Sequence, residues 1–202
     1  MPVVSFATST IIAGCLALCA ACPAVAEDTI LFDFAESSSV RDWVPVKFPE
    51  LEADQPAPKI EIVPTDTGDA PNSGKCLKIT FDGGDWPAIS ATKIPVEGNW
   101  KLYETLKADL TVERTCVAYF RVCQGEPEEN GDQPRWQKSM ILLPGRNEVT
   151  LTIRRGLGAL DPAKGDVSSL SIGMFQPEKG ESLRVSNVRL STDWPPPQVK
   201  DF

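Results

Sequence analysis

The sequence of 202 residues contains no histidine. Histidine-based catalytic triads, histidine general bases and zinc sites with histidine ligands are therefore excluded. Positive charge is also scarce, because 20 lysines and arginines stand against 28 aspartates and glutamates, which gives a net charge of −8. Without a basic block, this balance argues against binding to nucleic acid or to an anionic membrane surface. The 42% hydrophobic and 24% charged content excludes general disorder, and the length fits one domain.

The first 26 residues contain no charged side chain. An apolar core followed by Ala24-Val25-Ala26 predicts a secretory signal peptide that is removed after Ala26. Two alternatives stay open. In the first alternative, Ile12-Ala13-Gly14-Cys15 resembles a bacterial lipobox, which would place a lipid on Cys15 and the protein on a membrane surface. In the second, the apolar segment from Val3 to Ala26 is a membrane anchor, since it reaches the roughly 20 residues that a spanning helix needs. Each alternative exports the rest of the chain, so we expect a secreted or periplasmic protein.

Three cysteines follow the predicted signal peptide, namely Cys76, Cys116 and Cys123. An odd number predicts at least one free thiol. On a single strand Cys116 and Cys123 would lie about 23 Å apart on opposite faces, so they cannot pair with each other. Any disulfide must therefore use Cys76, and the alternative is that all three are small buried hydrophobes.

Short segments with alternating apolar residues recur about every ten residues, and turn-forming clusters separate them. The predicted strands are Thr29–Phe34, Trp43–Phe48, Lys59–Val63, Lys75–Asp82, Ala88–Ile94, Thr105–Glu113, Thr115–Gln124, Arg135–Leu143, Glu148–Arg154, Ser168–Phe175 and Leu183–Leu190. Helical periodicity is limited to one turn at Val40–Val44. About eleven such strands predict an all-β fold, an antiparallel β-sandwich. The predicted domain spans residues 27–193, and the proline-rich residues 194–202 form a tail.

The strand predicted at Thr115–Gln124 carries a candidate ligand site on its outer face. The core phase holds Cys116, Ala118, Phe120 and Val122. The outer phase holds Val117, Tyr119, Arg121 and Cys123. A tyrosine ring can cover the apolar C–H face of a pyranose, and a guanidinium can bond adjacent hydroxyls. The alternative is a cross-strand packing pair without a ligand.

Three further aromatic residues are candidates for contact with a sugar ring. Trp86 follows a Gly-Gly turn and Trp136 follows a polar loop, so each is either a stacking platform or a plug at the sandwich edge. Phe175 shares its strand face with Ser171 and Gly173, and these small neighbours predict a shallow trough beside an exposed ring.

The order of several segments resembles that of jelly-roll carbohydrate-binding modules, the galactose-binding-like β-sandwiches found with secreted glycoside hydrolases. These segments are Ile30–Phe34, Trp43, Ser73–Phe81, Gly83–Ser90, Leu106–Leu110, Pro144–Val149 and Val185–Leu190. The resemblance covers about Thr29 to Ser191. It implies a two-sheet jelly roll that binds a poly- or oligosaccharide without catalysis, on a concave sheet face or loop rim, and a secreted carbohydrate-active enzyme as a further partner. Because such a site would be shallow and wet, we expect the binding to be weak.

The resemblance also bears on cofactors, because many members hold a structural calcium between the first strand and an acidic residue of the last strand. Asp33 and Glu36 would serve at the first position. In the last strand Ser186 or Asn187 stands where many members have aspartate. Calcium is the one cofactor that the resemblance implies.

Two other functions compete with glycan binding. The same fold serves as an exported module that contacts another protein or has a structural role. A glycoside hydrolase needs two carboxylates, about 5–5.5 Å apart for retention or about 6.5–9.5 Å apart for inversion, and most candidate carboxylates here sit in turns. A polysaccharide lyase would have to use Tyr119 with Arg121. A solvent-exposed aromatic trough beside Tyr119 and Arg121 would favour glycan binding, and its absence would favour a protein partner.

Overall fold

The computed structural model describes residues 28–48, 55–65, 74–91, 93–96, 100–126, 133–154, 160–161 and 166–193. These residues form β1 (Asp28–Phe32), a 3-10 helix (Ser37–Asp42), β2 (Trp43–Val46), β3 (Lys59–Pro64), β4 (Lys75–Asp82), β5 (Ala88–Ala91), β6 (Thr105–Val112), β7 (Cys116–Gln124), β8 (Arg135–Leu142), β9 (Gly145–Thr152), β10 (Val167–Phe175) and β11 (Lys179–Ser191). The predicted signal peptide, the lipobox cysteine Cys15 and the tail 194–202 lie outside the described residues. Within the described ranges, no helix has the length and apolar character needed to cross a bilayer.

The strands form two antiparallel sheets. Sheet A has the order β3-β4-β11-β6-β9, with β1 also paired to β11, and sheet B has the order β2-β5-β10-β7-β8. The predicted all-β sandwich is therefore confirmed. The strand predicted at Lys75–Asp82 has the observed bounds, whereas the last strand begins at Lys179, earlier than predicted. The predicted helical turn is a 3-10 helix that lies a few residues earlier, at Ser37–Asp42.

The core lies between the two sheets and is built from one alternating face of each strand. The rows predicted to face inward are buried, as Leu77, Ile79 and Phe81 of β4 show. Trp136 also belongs to this core, because only 2% of its surface is exposed and it faces inward with Leu142. It is a structural plug and presents no stacking platform to a ligand, so the alternative of a ligand-binding Trp136 is wrong.

The outer face of sheet A carries a network of ion pairs. Lys107 pairs with Asp28 at 3.7 Å and with Asp193 at 3.2 Å, and Arg189 pairs with Asp28 at 3.1 Å and with Glu148 at 3.0 Å. Burial raises the pKa of Asp28, but hydrogen bonding to Ser191 and the charges of Lys107 and Arg189 outweigh it and hold this pKa below its usual value. This face is polar and internally paired, unlike the outer face of sheet B described below.

The three described cysteines are all free thiols. Cys76 and Cys123 are buried and Cys116 is half-buried. The prediction that Cys116 and Cys123 do not pair is confirmed, because both lie on β7 at positions of opposite phase. Desolvation by burial, assisted by the charge of Glu181, raises the pKa of Cys116 to about 11.

Alkylation of the denatured protein without reductant should modify Cys76, Cys116 and Cys123 completely. In the native protein at about pH 8, Cys116 should react slowly, because the thiolate is the nucleophile and its pKa lies near 11. Raising the pH toward the pKa should accelerate the reaction. Peptide mapping by mass spectrometry measures each site, and a disulfide-linked peptide joining Cys116 to Cys123 would contradict the strand assignment.

Candidate functional site

The candidate site lies on the outer face of sheet B, the face directed away from sheet A. The strand register places Tyr119 between Gly173 of β10 and Ser139 of β8. Both Tyr119 and Arg121 point away from the sandwich core, as the alternation of β7 predicts, whereas Phe120 belongs to that core. Their predicted direction is therefore correct.

Their predicted exposure is wrong. Tyr119 is fully buried and Arg121 is only 4% exposed. Phe48, which follows β2, covers both side chains. Its ring centroid lies 4.1 Å from the guanidinium carbon of Arg121 and 6.2 Å from the centre of the Tyr119 ring. An exposed aromatic trough is thus absent at this position, and no ligand reaches these two residues while Phe48 is in place.

The shallow trough predicted beside Phe175 is also absent, because Tyr119 fills it. A Cβ at Gly173 would overlap the Tyr119 ring and the carbonyl oxygen of Pro87. The second small residue, Ser171, is buried and donates a 3.1 Å hydrogen bond to the Ser90 hydroxyl on β5. The small residues of β10 therefore make room for protein side chains and not for a ligand.

The Tyr119 hydroxyl fixes the turn that carries Trp86. It donates a 2.9 Å hydrogen bond to the Trp86 carbonyl oxygen. The Gln55 side-chain oxygen accepts hydrogen bonds from the backbone N–H groups of Asp85, at 2.6 Å, and of Trp86, at 3.2 Å. The backbone N–H of Gln176 donates to the Asp85 carbonyl oxygen at 2.8 Å. Contacts from three separate segments thus hold this turn, and the position of the indole is set before any ligand arrives.

Trp86 and Phe175, here called the aromatic pair, are the predicted site residues that the structure brings together with surface still open to solvent. Their ring centroids lie 4.6 Å apart at an interplanar angle of 47°. The Trp86 and Tyr119 rings meet edge to face, with ring centroids 5.2 Å apart and an interplanar angle of 68°. Both members of the pair are half-buried. Such rings can stack on the apolar C–H face of a sugar while their other face is supported by protein.

Two polar side chains lie beside the aromatic pair. Asp85 precedes Trp86, Gln176 follows Phe175, and both side chains are exposed. The Gln176 side-chain amide donates to the Asp85 carboxylate at 3.3 Å. Sequence reasoning did not select these residues, although their position next to each ring is the signal that would have found them. An amide and a carboxylate together can accept from and donate to the hydroxyls of a bound sugar.

The predicted calcium ligands do not form a cluster in the described part of the chain. Asp33 and Glu36 are exposed, and one Asp33 oxygen accepts a 3.0 Å hydrogen bond from the backbone N–H of Ala35. The Asn187 amide donates to Asp109 at 3.0 Å. Among the described residues, no three acidic or cysteine side chains converge as metal ligands would, whereas calcium takes about six to eight oxygens. Calcium binding at Asp33 and Glu36 stays a prediction.

A pair of carboxylates flanks Arg114 in the turn between β6 and β7. Glu178 and Glu181 both form ion pairs with this guanidinium. The hydrogen bond from Arg114 holds the pKa of Glu181 below its usual value, despite the opposing effect of burial. A glycosidase acid needs the opposite, a raised pKa. This cluster fastens the turn to β11 and is not arranged as a catalytic pair.

Comparison with known proteins supports the fold described above. No protein-family model matches the sequence, and no curated protein matches it either. Solved structures of carbohydrate-binding modules have the same fold as this chain, and this confirms the predicted resemblance to the jelly-roll modules. It is similar to a family 11 carbohydrate-binding module from Clostridium thermocellum in complex with a beta-1,3-1,4-mixed-linked tetrasaccharide, with a TM-score of 0.57 and 16% identity over 83% of this chain and 96% of that one.

An exo-beta-agarase contains the same fold as part of a longer chain. The TM-score is 0.61 and the identity is 12%. The match covers 82% of this chain but only 25% of the agarase, so this chain corresponds to about a quarter of that enzyme's length.

Replacing Gly173 with alanine should destabilise the protein by about 1–3 kcal/mol, the usual cost of overpacking a filled interior. The new methyl group would collide with the Tyr119 ring and the Pro87 carbonyl. Urea denaturation measures the free energy of unfolding.

Ser171→Ala is the matched control for this substitution, because it lies on the same strand and the same face. It removes one hydrogen bond and adds no atom, so we expect a cost of about 1 kcal/mol. A Gly173→Ala protein as stable as the wild type would show that Tyr119 does not lie over β10.

Proposed function

We propose that the protein is an exported, non-catalytic module that binds a poly- or oligosaccharide at the aromatic pair of Trp86 and Phe175. The observation that carries the proposal is this pair, with ring centroids 4.6 Å apart and surface open to solvent. The turn that carries Trp86 is held by Tyr119 and Gln55. The fold shared with a carbohydrate-binding module supports it. Export rests on the signal peptide predicted up to Ala26.

The binding energy expected from such a site is small. The pair is preorganised, so little conformational entropy is lost when a sugar stacks on it. The site is also open and wet, and most sugar hydroxyls would keep their contacts with water. We therefore expect dissociation constants of roughly 10 μM to 1 mM. Within this proposal Tyr119 positions the Trp86 turn and makes no contact with the ligand, and Arg121 anchors Phe48.

Charge near the pair favours a neutral ligand. The Asp85 carboxylate is exposed beside Trp86, and the whole chain carries a net charge of −8. A sulfated or uronic-acid glycan would meet this negative potential, whereas a neutral glycan would not. The presence of the same fold within an exo-beta-agarase supports a role beside a carbohydrate-active enzyme.

Trp86→Ala and Phe175→Ala should each weaken glycan binding by about fivefold or more, because each removes stacking area worth about 1–3 kcal/mol. The measurement is calorimetry against beta-1,3-1,4-mixed-linked oligosaccharides, agarose-derived oligosaccharides and acidic oligosaccharides. Tyr103→Ala is the matched control, because it removes another half-buried aromatic ring, next to β6 of sheet A. The proposal fails if both site variants bind as the wild type does.

The second candidate is an exported sandwich that contacts another protein. The closed surface over Tyr119 and Arg121 favours it, because no open trough exists there. The exposed Ile141 and Leu143, at the end of edge strand β8, would then be the contact. In this case none of the oligosaccharides would bind.

A further inference from the structure

A row of apolar side chains continues from the aromatic pair across sheet B. Phe175 on β10 is paired with Val117 on β7, and Val117 is paired with Ile141 on β8. These three residues, here called the apolar row, all occupy the outer phase of their strands. Val117 is half-buried, and Ile141 is 72% exposed. The open apolar surface therefore extends beyond the two rings toward the edge of the sheet.

The next row on the same face is closed where it crosses β7 and β10. There Tyr119 lies over Gly173, and Phe48 covers Tyr119. A ligand that starts on the aromatic pair cannot continue along β7 or β10, because Phe48 and Tyr119 occupy that direction. The accessible direction runs across the strands, over Val117 to Ile141.

We propose that the apolar row extends the glycan site, so that a neutral glycan chain runs across the strands from Trp86 and Phe175 to Ile141. This inference rests on the proposed function. Neighbouring strands lie about 4.8 Å apart, which places Ile141 roughly 10 Å from Phe175. A pyranose unit in an extended chain advances by about one strand spacing, so the row accommodates about two units beyond the one on the aromatic pair.

The chemistry of the row fits a glycan better than a protein surface. Aliphatic side chains at Val117 and Ile141 offer contact to C–H faces and bring no charge. The exposed Ser139, the neighbour of Ile141 on the same face of β8, offers a hydrogen bond to a sugar hydroxyl, and the exposed Gln137 follows two positions further along that face.

The test is the dependence of affinity on chain length, measured by calorimetry with a neutral disaccharide, tetrasaccharide and hexasaccharide of one linkage type from the series that binds. For the wild type, affinity should rise about tenfold from the disaccharide to the tetrasaccharide and then level off. Ile141→Ser should reduce this rise to about twofold and leave the affinity for the disaccharide unchanged. Because the Ile141 side chain is exposed, the Ile141→Ser protein should keep the melting temperature of the wild type.

Leu102→Ser is the matched control, because Leu102 is 77% exposed in the loop that precedes β6 of sheet A. It should retain the full tenfold rise. If Ile141→Ser also retains the rise while Trp86→Ala loses disaccharide binding, the apolar row is not part of the site, although the proposed function stands. If Ile141→Ser leaves glycan affinity unchanged at every chain length but alters the association state seen by sedimentation, the row is a contact between protein molecules and the inference is wrong. If the wild type binds no oligosaccharide, both proposals fail.

Discussion

The candidate site depends on the contact between the Tyr119 ring and the bare backbone of Gly173. Because Gly173 has no Cβ, the end of the Tyr119 ring approaches β10 closely and its hydroxyl reaches the Trp86 carbonyl oxygen at 2.9 Å. The same ring packs against Phe48 and makes an edge-to-face contact with the Trp86 indole. The Tyr119 side chain, covered by Phe48, thus closes the centre of the outer face of sheet B and holds the aromatic pair in place.

Most of the fold follows from the alternation of apolar and polar residues. In β4, Leu77, Ile79 and Phe81 alternate with polar side chains, so both the bounds and the buried face could be predicted. The start of β11 could not be predicted in this way, because its first residues are polar and show no apolar alternation. These residues are held instead by pairing with β4 and by the ion pair of Glu181 with Arg114. Pairing with a distant strand leaves no periodic signal in the local sequence.

The site was predicted only in part, for two physical reasons. Alternation along β7 gives the direction of Tyr119 but not the burial, since Phe48 comes from a distant part of the chain. Trp136 is the opposite case, because it shares its phase with Leu142 and its inward direction could have been inferred from β8 itself. Trp86 and Phe175 were selected from separate strand ends, and only the pairing of β10 with β5 brings them together.

The central claim is that ligand contacts are confined to the aromatic pair and the apolar row, while Phe48 keeps Tyr119 and Arg121 closed. A nuclear magnetic resonance titration of the isotope-labelled protein with a neutral tetrasaccharide tests it most directly. We expect the largest shift changes at the Trp86 indole N–H and at the ring and methyl signals of Phe175, Val117 and Ile141, with the Arg121 guanidinium signal unmoved. Large changes at Arg121 and the Phe48 ring, with an unmoved Trp86 indole, would contradict the account.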